Sequence, residues 1–268
     1  MLTLDILIST INEGIENVPD ILLAPIDGIR YVVSWQKCGY SASVPLALMR
    51  NDVIVSVITE RGLSRNRNNA LVHATADLCL IADDDVRYKS EYFDEVINTF
   101  SSSSDVDVAL FQYKSVHGMK SYPCHPFNLV NMPKGYYVSS IEIAFRRKAV
   151  AGKIRFNELF GLGAPVLKAC EDGVFLLDAM RQGLKCEYFP KVVVEHDGQP
   201  TGVANIASEG VLMAKGAYIW LVYGGISAWM RFVLNAWRVH CQEPSVGFME
   251  AFRHIKNGAA YIKQHQKL

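Results

Sequence analysis

The chain has 268 residues, half of them apolar, which is enough for one large domain or a domain with an appendage and excludes a disordered polypeptide. Lys plus Arg and Asp plus Glu number 27 each, so there is no basic excess to neutralise a nucleic-acid backbone, and nucleic acid is not an expected partner. The six cysteines, at positions 38, 79, 124, 170, 186 and 241, show no C-x-x-C spacing, and several lie in apolar runs, as suits a reduced cytoplasm.

The chain opens Met1, Leu2, Thr3, Leu4, Asp5, with an acid inside the first apolar run and no basic leader, so a first strand is expected rather than a secretory signal. Leu4 to Ser9, Tyr31 to Trp35, Val53 to Ile58 and Leu78 to Ala82 are short runs rich in Val, Ile and Leu, separated by polar stretches as in βαβ units. The expected fold is a mostly parallel α/β sheet flanked by helices. Ser64 is expected to cap a helix reaching about Thr75, with Ala70, Leu71 and Ala74 on one face.

The fourth apolar run exits into Asp83, Asp84 and Asp85. In an open α/β sheet the ligand crevice lies outside the carboxyl ends of the strands, so these acids point into it. Hard divalent ions such as Mg²⁺ or Mn²⁺ take one or two carboxylates, with substrate phosphates filling much of the remaining shell. The competing reading is an acidic turn that caps the next helix, Glu91 to Phe100.

Ser101 to Ser104 reads as a solvated turn and Val106 to Tyr113 as a strand. Periodicity disappears from Ser115 to Lys134, a long loop that can cover a substrate. Val138 to Phe145 returns to a strand pattern, Asp172 to Arg181 reads as a helix ended by Gly183, and Lys191 to Glu195 as a strand. Beyond about Thr201 the pattern is helical, which divides the chain into an α/β domain over residues 1–200 and a helical region over 201–268. Its most apolar stretch, Gly216 to Met230, is broken by Gly224 and Gly225 and falls short of the ~20 apolar residues of a spanning helix.

Arg61 to Ala70 sets a helix start beside Ser64, Arg65, Asn66, Arg67 and Asn68, donors that suit a diphosphate, or alternatively a basic surface cap. Glu171 and Asp172 open a helix after a Gly-rich approach; one carboxylate can take the proton of a sugar hydroxyl, or the pair can simply cap the helix. His196, at the end of the last strand, can complete a metal shell or be structural, and His73, His117 and His125 have weaker claims.

Together these residues resemble family 2 glycosyltransferases with the GT-A fold, particularly bacterial enzymes that build capsule or lipopolysaccharide glycans. The likeness spans about residues 4 to 200. The family's Thr-x-Asn-Glu-like segment near the nucleotide appears as Thr10, Ile11, Asn12, Glu13, and its Ser-x-x-Arg-Asn element as Ser64, Arg65, Asn66, Arg67, Asn68. Its metal-binding D-x-D is matched by Asp83, Asp84 and Asp85, and its acidic pair by Glu171 and Asp172. The resemblance implies Asp85 as direct metal ligand with His196 assisting, Asp83 on the ribose or sugar side, Asp84 able to exchange with either neighbour, and Asp172 as base.

It also implies a nucleotide-sugar donor, a UDP-sugar for preference, Mn²⁺ or Mg²⁺, inversion at the anomeric carbon, and a glycan acceptor that can be lipid-linked. One departure is Ser34, Trp35, Gln36, Lys37 where many members carry an Asp-Asp-Gly-Ser-like turn; Trp35 either stacks on a base or is buried. The basic residues of 201–268, Lys215, Arg231, Arg238, Arg253 and Lys256, leave three roles open for that region: peripheral contact with the inner face of an anionic membrane, packing on the catalytic domain, or a dimer contact. The competing functions are a sugar nucleotidyltransferase, which would carry a Gly-rich phosphate loop after the first strand, and a non-catalytic binding subunit of the same fold.

Overall fold

The computed structural model describes residues 1–115, 120–196 and 205–265. In chain order the first elements are β1 (Leu4–Ile11), a 3-10 helix Asn12–Asp20, β2 (Ile29–Gln36), β3 (Val53–Ile58), α1 (Leu63–His73), β4 (Leu78–Asp83), β5 (Val86–Arg87) and α2 (Ser90–Ser102). They are followed by β6 (Val108–Lys114), β7 (Phe127–Asn128), β8 (Ile143–Arg146), the single turn α3 (Arg147–Val150), α4 (Glu171–Arg181) and β9 (Cys186–His196). Three helices close the described chain: α5 (Glu209–Tyr223), α6 (Gly225–Gln242) and α7 (Phe248–His265).

Two compact units emerge: Met1–Arg61, Arg65–Phe156 and Asp178–Gly198 form the first, and Gly62–Ser64, Asn157–Leu177 and Gln199–Leu268 the second. The expected boundary near residue 200 lies outside the described residues, and so does His117. The stretch 157–177, read from sequence with the α/β part, joins the helical unit.

In the first unit the strand order is β3-β2-β1-β4-β8-β6-β9-β5, with β7 also on β9. β1 pairs in parallel with β2 and with β4, so the chain reverses its winding direction between β1 and β4. Both strands are buried on both faces, which is why their sequences are near-continuous apolar runs rather than alternating ones. The acid inside β1, Asp5, is buried, and its charge is met by the Arg30 guanidinium at 2.9 Å and by the backbone N–H groups of Thr75 and Ala76.

Two sequence expectations differ from the structure, and the choice left open at Trp35 is decided by it. Ser64 lies inside the first turn of α1, and its hydroxyl donates to the Phe160 carbonyl at 2.7 Å instead of capping the helix. The expected strand Val138 to Phe145 begins only at Ile143, because Ser140–Glu142 forms a 3-10 turn that directs Glu142 into the interior. Trp35 is buried, and its Nε1 donates to the Asn12 carbonyl at 2.9 Å, so it is a core residue and not an exposed stacking platform.

The second unit has its own core. Leu212 and Ile219 of α5, Phe232, Ala236 and Val239 of α6, and Ala251, Ile255 and Ala259 of α7 pack together. Phe160, Leu167 and Val174 pack on Ala214, Ala217 and Leu221 of α5. Helices α5 and α7 meet at two glycines: a Cβ on Gly216 would lie 1.8 Å from the Ile255 carbonyl oxygen, and one on Gly258 the same distance from that of Met213. Backbone cannot move aside as a side chain can. Gly216→Ala is therefore expected to destabilise the protein by about 2 kcal/mol, an overpacking cost near 3 less about 1 of helix propensity, as read by urea denaturation. A loss under roughly 0.5 kcal/mol would contradict the close approach.

Candidate active site

The carboxyl ends of β1 and β4 lie side by side, with Ser9 in register with Asp83. Ligands of open α/β sheets sit at this kind of reversal point. Here Thr10 donates from its hydroxyl to Asp84, and a Cβ on Gly14 would stand 2.1 Å from Asp84 Oδ2, so a side chain at that position would push the Asp84 carboxylate from its place. Burial, reinforced by Asp83 and Asp85 and opposed by Thr10, pushes the Asp84 carboxyl up to about 6. Asn12 takes a left-handed φ of +46°, with its side chain accepting from the Cys38 N–H at 2.9 Å; Glu13 beside it is exposed.

The polar face of α1 is turned onto the strand ends. Asn66 donates to the Thr10 carbonyl at 2.9 Å, and Asn69 donates to Ser34 and Ser56 at 2.7 and 3.0 Å. Asn68 clasps the backbone of Phe156 in both directions, at 2.8 and 2.9 Å. Arg67 is only 1% exposed; its Nη2 donates to Asp83 Oδ1 at 3.0 Å and to Ser140 Oγ at 2.6 Å, and its guanidinium lies over the Phe156 ring. Arg67 thus orients Asp83 from within the core.

Asp85 is the exposed member of the run. The turn 84–85 leads into β5, whose Val86 pairs antiparallel with His196 of β9, and this pairing brings the His196 ring to Asp85, Nε2 to Oδ2 3.1 Å. The hydrogen bond from His196 holds the Asp85 carboxyl below its ordinary value. Tyr113 of β6 meets the His196 ring edge-on at 5.9 Å between centroids. Helix α2 has Lys89 at its N-cap position and Glu91 in its first turn, so the Asp run does not cap it.

One carboxylate and one imidazole side by side suit a divalent cation that keeps waters and takes phosphate oxygens for the rest of its shell. Among the described residues no group of three or more His, Cys, Asp and Glu side chains stands ready to hold a metal alone. Asp85 and His196 therefore fit a cation completed by its substrate, whereas Asp83 is held by Arg67 and Asp84 by Thr10.

In the second unit the Gly-rich approach to α4 is a closed loop. Phe160 bridges to Leu167, Gly161 N donates to the Leu167 carbonyl, and Leu63 N donates to that of Leu162. Gly161 has φ +100°, and a Cβ there would meet both Glu171 and Ser64 at 3.2 to 3.3 Å, so this glycine leaves room for their side chains. Cys170, immediately before the acidic pair, takes φ +69°, a strained conformation for a residue with a side chain and of the kind that persists where surrounding structure enforces it. Glu171 is buried, Asp172 is half-buried, and the Tyr218 ring of α5 packs on Gly173, so α5 braces the start of α4. Among the other histidines, His73 bonds Ser56 at 2.9 Å and His125 is exposed.

Sequence reasoning missed a buried ion pair. Lys120 Nζ lies 2.9 Å from Glu142 Oε2; both side chains are almost wholly buried, and Tyr122 donates its hydroxyl to Glu142. The ammonium also lies 4.1 to 5.1 Å from the ring centroids of Tyr122, Tyr136 and Tyr137. Burial raises the Glu142 carboxyl, with Lys120 and Tyr122 opposing. Ser140, which receives Arg67, belongs to the same turn, so this pair anchors the far side of the Arg67–Asp83 contact. A lysine within a tyrosine-rich stretch is the only local signal, and the glutamate is 22 residues away.

The sequence model described as Glycosyl transferase family 2 matches residues 43–154, a span that holds α1, the Asp run and Glu142. No curated protein sequence matches the chain. The fold is similar to the crystal structure of S. aureus TarS 1-349, with a TM-score of 0.64 and 15% identity over 99% of this chain and 92% of that one. It is also similar to that of S. aureus TarS, with a TM-score of 0.59 and 19% identity over 92% of this chain and 45% of that one. For TarS 1-349 in complex with UDP-GlcNAc the TM-score is 0.59 and the identity 17%, over 92% of this chain and 75% of that one.

Proposed function

We propose that this chain is a glycosyltransferase that moves a sugar from a UDP-sugar donor to a hydroxyl of a bacterial surface glycan, a reading supported by the family 2 match of residues 43–154 and by the likeness of its fold to that of TarS. Capsule or lipopolysaccharide chains, lipid-linked in the growing state and reached from the cytoplasm, are the acceptor class. The observation that carries this reading is the placement of Asp84 on Thr10 and of Asp85 on His196 at the carboxyl ends of β4 and β1. UDP-GlcNAc bound to a protein of similar fold supports the choice of nucleotide.

In this reading residues 1–200 act as the catalytic domain and 201–268 as its helical companion. Thr10, Asn12 and Glu13 line the nucleotide side, Asp83 meets the ribose or sugar from its hold on Arg67, and Ser64 and Asn68 keep the surrounding loops in place. Asp85 and His196 would hold Mn²⁺ or Mg²⁺, which offsets charge on the leaving diphosphate. Asp172 takes the proton of the attacking hydroxyl, with Glu171 packed beside it, and attack opposite the leaving group inverts the anomeric carbon.

Calorimetric titration with UDP, GDP and CDP, with and without Mn²⁺, tests the donor assignment. Expected is tight binding of UDP that needs Mn²⁺ and falls at least about tenfold in Asp85→Ala. Binding indifferent to both metal and Asp85 would remove the metal-bridged donor site, and preference for GDP or CDP would change the donor class.

A further inference from the structure

Helix α6 presents two apolar faces. Ala228, Phe232, Ala236 and Val239 are buried against α5 and α7. On its other side Ile226, Trp229, Met230, Val233, Leu234 and Trp237 are exposed, Ile226 by 81% and Trp237 by 59%. At 3.6 residues per turn these six side chains share an arc of roughly 140° and a length of about 16 Å. Core packing does not require this second face, and isolated exposure does not explain six large apolar residues in one stripe.

We infer that this face of α6 lies in the interfacial layer of an anionic phospholipid bilayer, parallel to its surface. Charge supports the choice of occupant: no Asp or Glu occurs between Glu209 and Glu243, and Arg231 and Arg238 border the apolar arc on the helix's polar side. Arg231 is held there by stacking on Tyr223 at 3.6 Å and by donating to Ser227 Oγ at 2.8 Å. Aliphatic chains and tryptophans on one face with arginines at the border are what an interfacial helix requires. A second copy fits less well. A two-fold pairing would bring four arginines to one seam with no acid on either helix, and the arc is wider than a coiled-coil seam. The stripe is also too short to cross a hydrocarbon core of about 30 Å, so the helix rests on the membrane.

The test is flotation of the whole chain with vesicles of mixed phosphatidylglycerol and phosphatidylcholine, and with pure phosphatidylcholine, without nucleotide. Expected are flotation with the anionic vesicles that fades with salt, a loss of at least about tenfold in Met230→Glu/Trp237→Glu, and about fivefold in Arg238→Ala. Quenching of tryptophan fluorescence by bromolipid in the anionic vesicles, weakened in Trp237→Phe, provides a readout that does not depend on how the doubly acidic variant folds. Absence of flotation with anionic vesicles overturns the inference. So does equal binding by a normally folded Met230→Glu/Trp237→Glu, or a dimer that this variant splits while vesicle binding is absent.

Discussion

Asp172→Asn is expected to slow sugar transfer by about 10² to 10⁴-fold while leaving UDP affinity within a factor of about two. The substitution keeps the size and shape of the side chain and removes its ability to accept a proton. A sugar hydroxyl is a weak nucleophile at neutral pH, so a base within hydrogen-bond reach contributes mainly in the transition state, and kcat falls rather than donor binding. Asp172 is half-buried, in the first turn of α4 two residues after the strained Cys170. Glu171→Gln should behave differently. Glu171 is buried against Gly161, so its loss acts on the packing of the 160–167 loop and lowers stability and turnover together. Release of the sugar to an acceptor or to water measures both. A slowing below about tenfold in a folded Asp172→Asn protein would take the role of base from this residue.

Arg67→Ala is expected to cost about 3 kcal/mol of stability, the lower end for breaking a buried ion pair because Asp83 keeps partial access to water. For a chain of this size that lowers the thermal midpoint by about 5 °C. Two physical losses add. Ser140 and Asp83 lose their shared donor, and the space over the Phe156 ring empties. Arg67→Lys should restore less than half of the loss, because an ammonium lacks the planar fork that reaches two acceptors while stacking on a ring. Urea denaturation measures the effect. A double-mutant cycle with Asp83→Asn then separates packing from orientation: coupling above about 1 kcal/mol, accompanied by weaker UDP binding, supports Arg67 as the positioning residue for Asp83. Coupling near zero would leave it a core filler.

The elements that sequence reading located well are those with local periodicity. Leu78 to Ala82 reads as a doubly buried strand because every position is apolar, and it is one. Val53 to Ile58 matches its strand end for end. The Asp run stands out because three acids directly follow a buried strand. His196 is placed by its sequence at a strand end, but its approach to Asp85 depends on the pairing of β9 with β5, two residues long, which no local pattern announces. Helix α1 is legible as a helix, yet its polar residues read as a ligand-facing cluster, whereas Arg67, Asn66 and Asn68 are buried and bonded within the fold.

By itself, then, the sequence determined the α/β character of the first 200 residues, the acids at the end of β4, the acidic pair opening α4 and the helical character of the C-terminal region. Each depends on residues within a turn or two of one another, and apolar spacing records burial at that range. Tertiary structure alone decided which charges became buried pairs, as with Arg67 and Asp83 or Lys120 and Glu142. It also decided that 157–177 belongs with the C-terminal helices, that Gly216 and Gly258 let two backbones touch, and which face of α6 stays exposed. The reason is physical: desolvating a charge is tolerated only where its partner arrives from elsewhere in the chain, and that arrival is a property of the assembled fold.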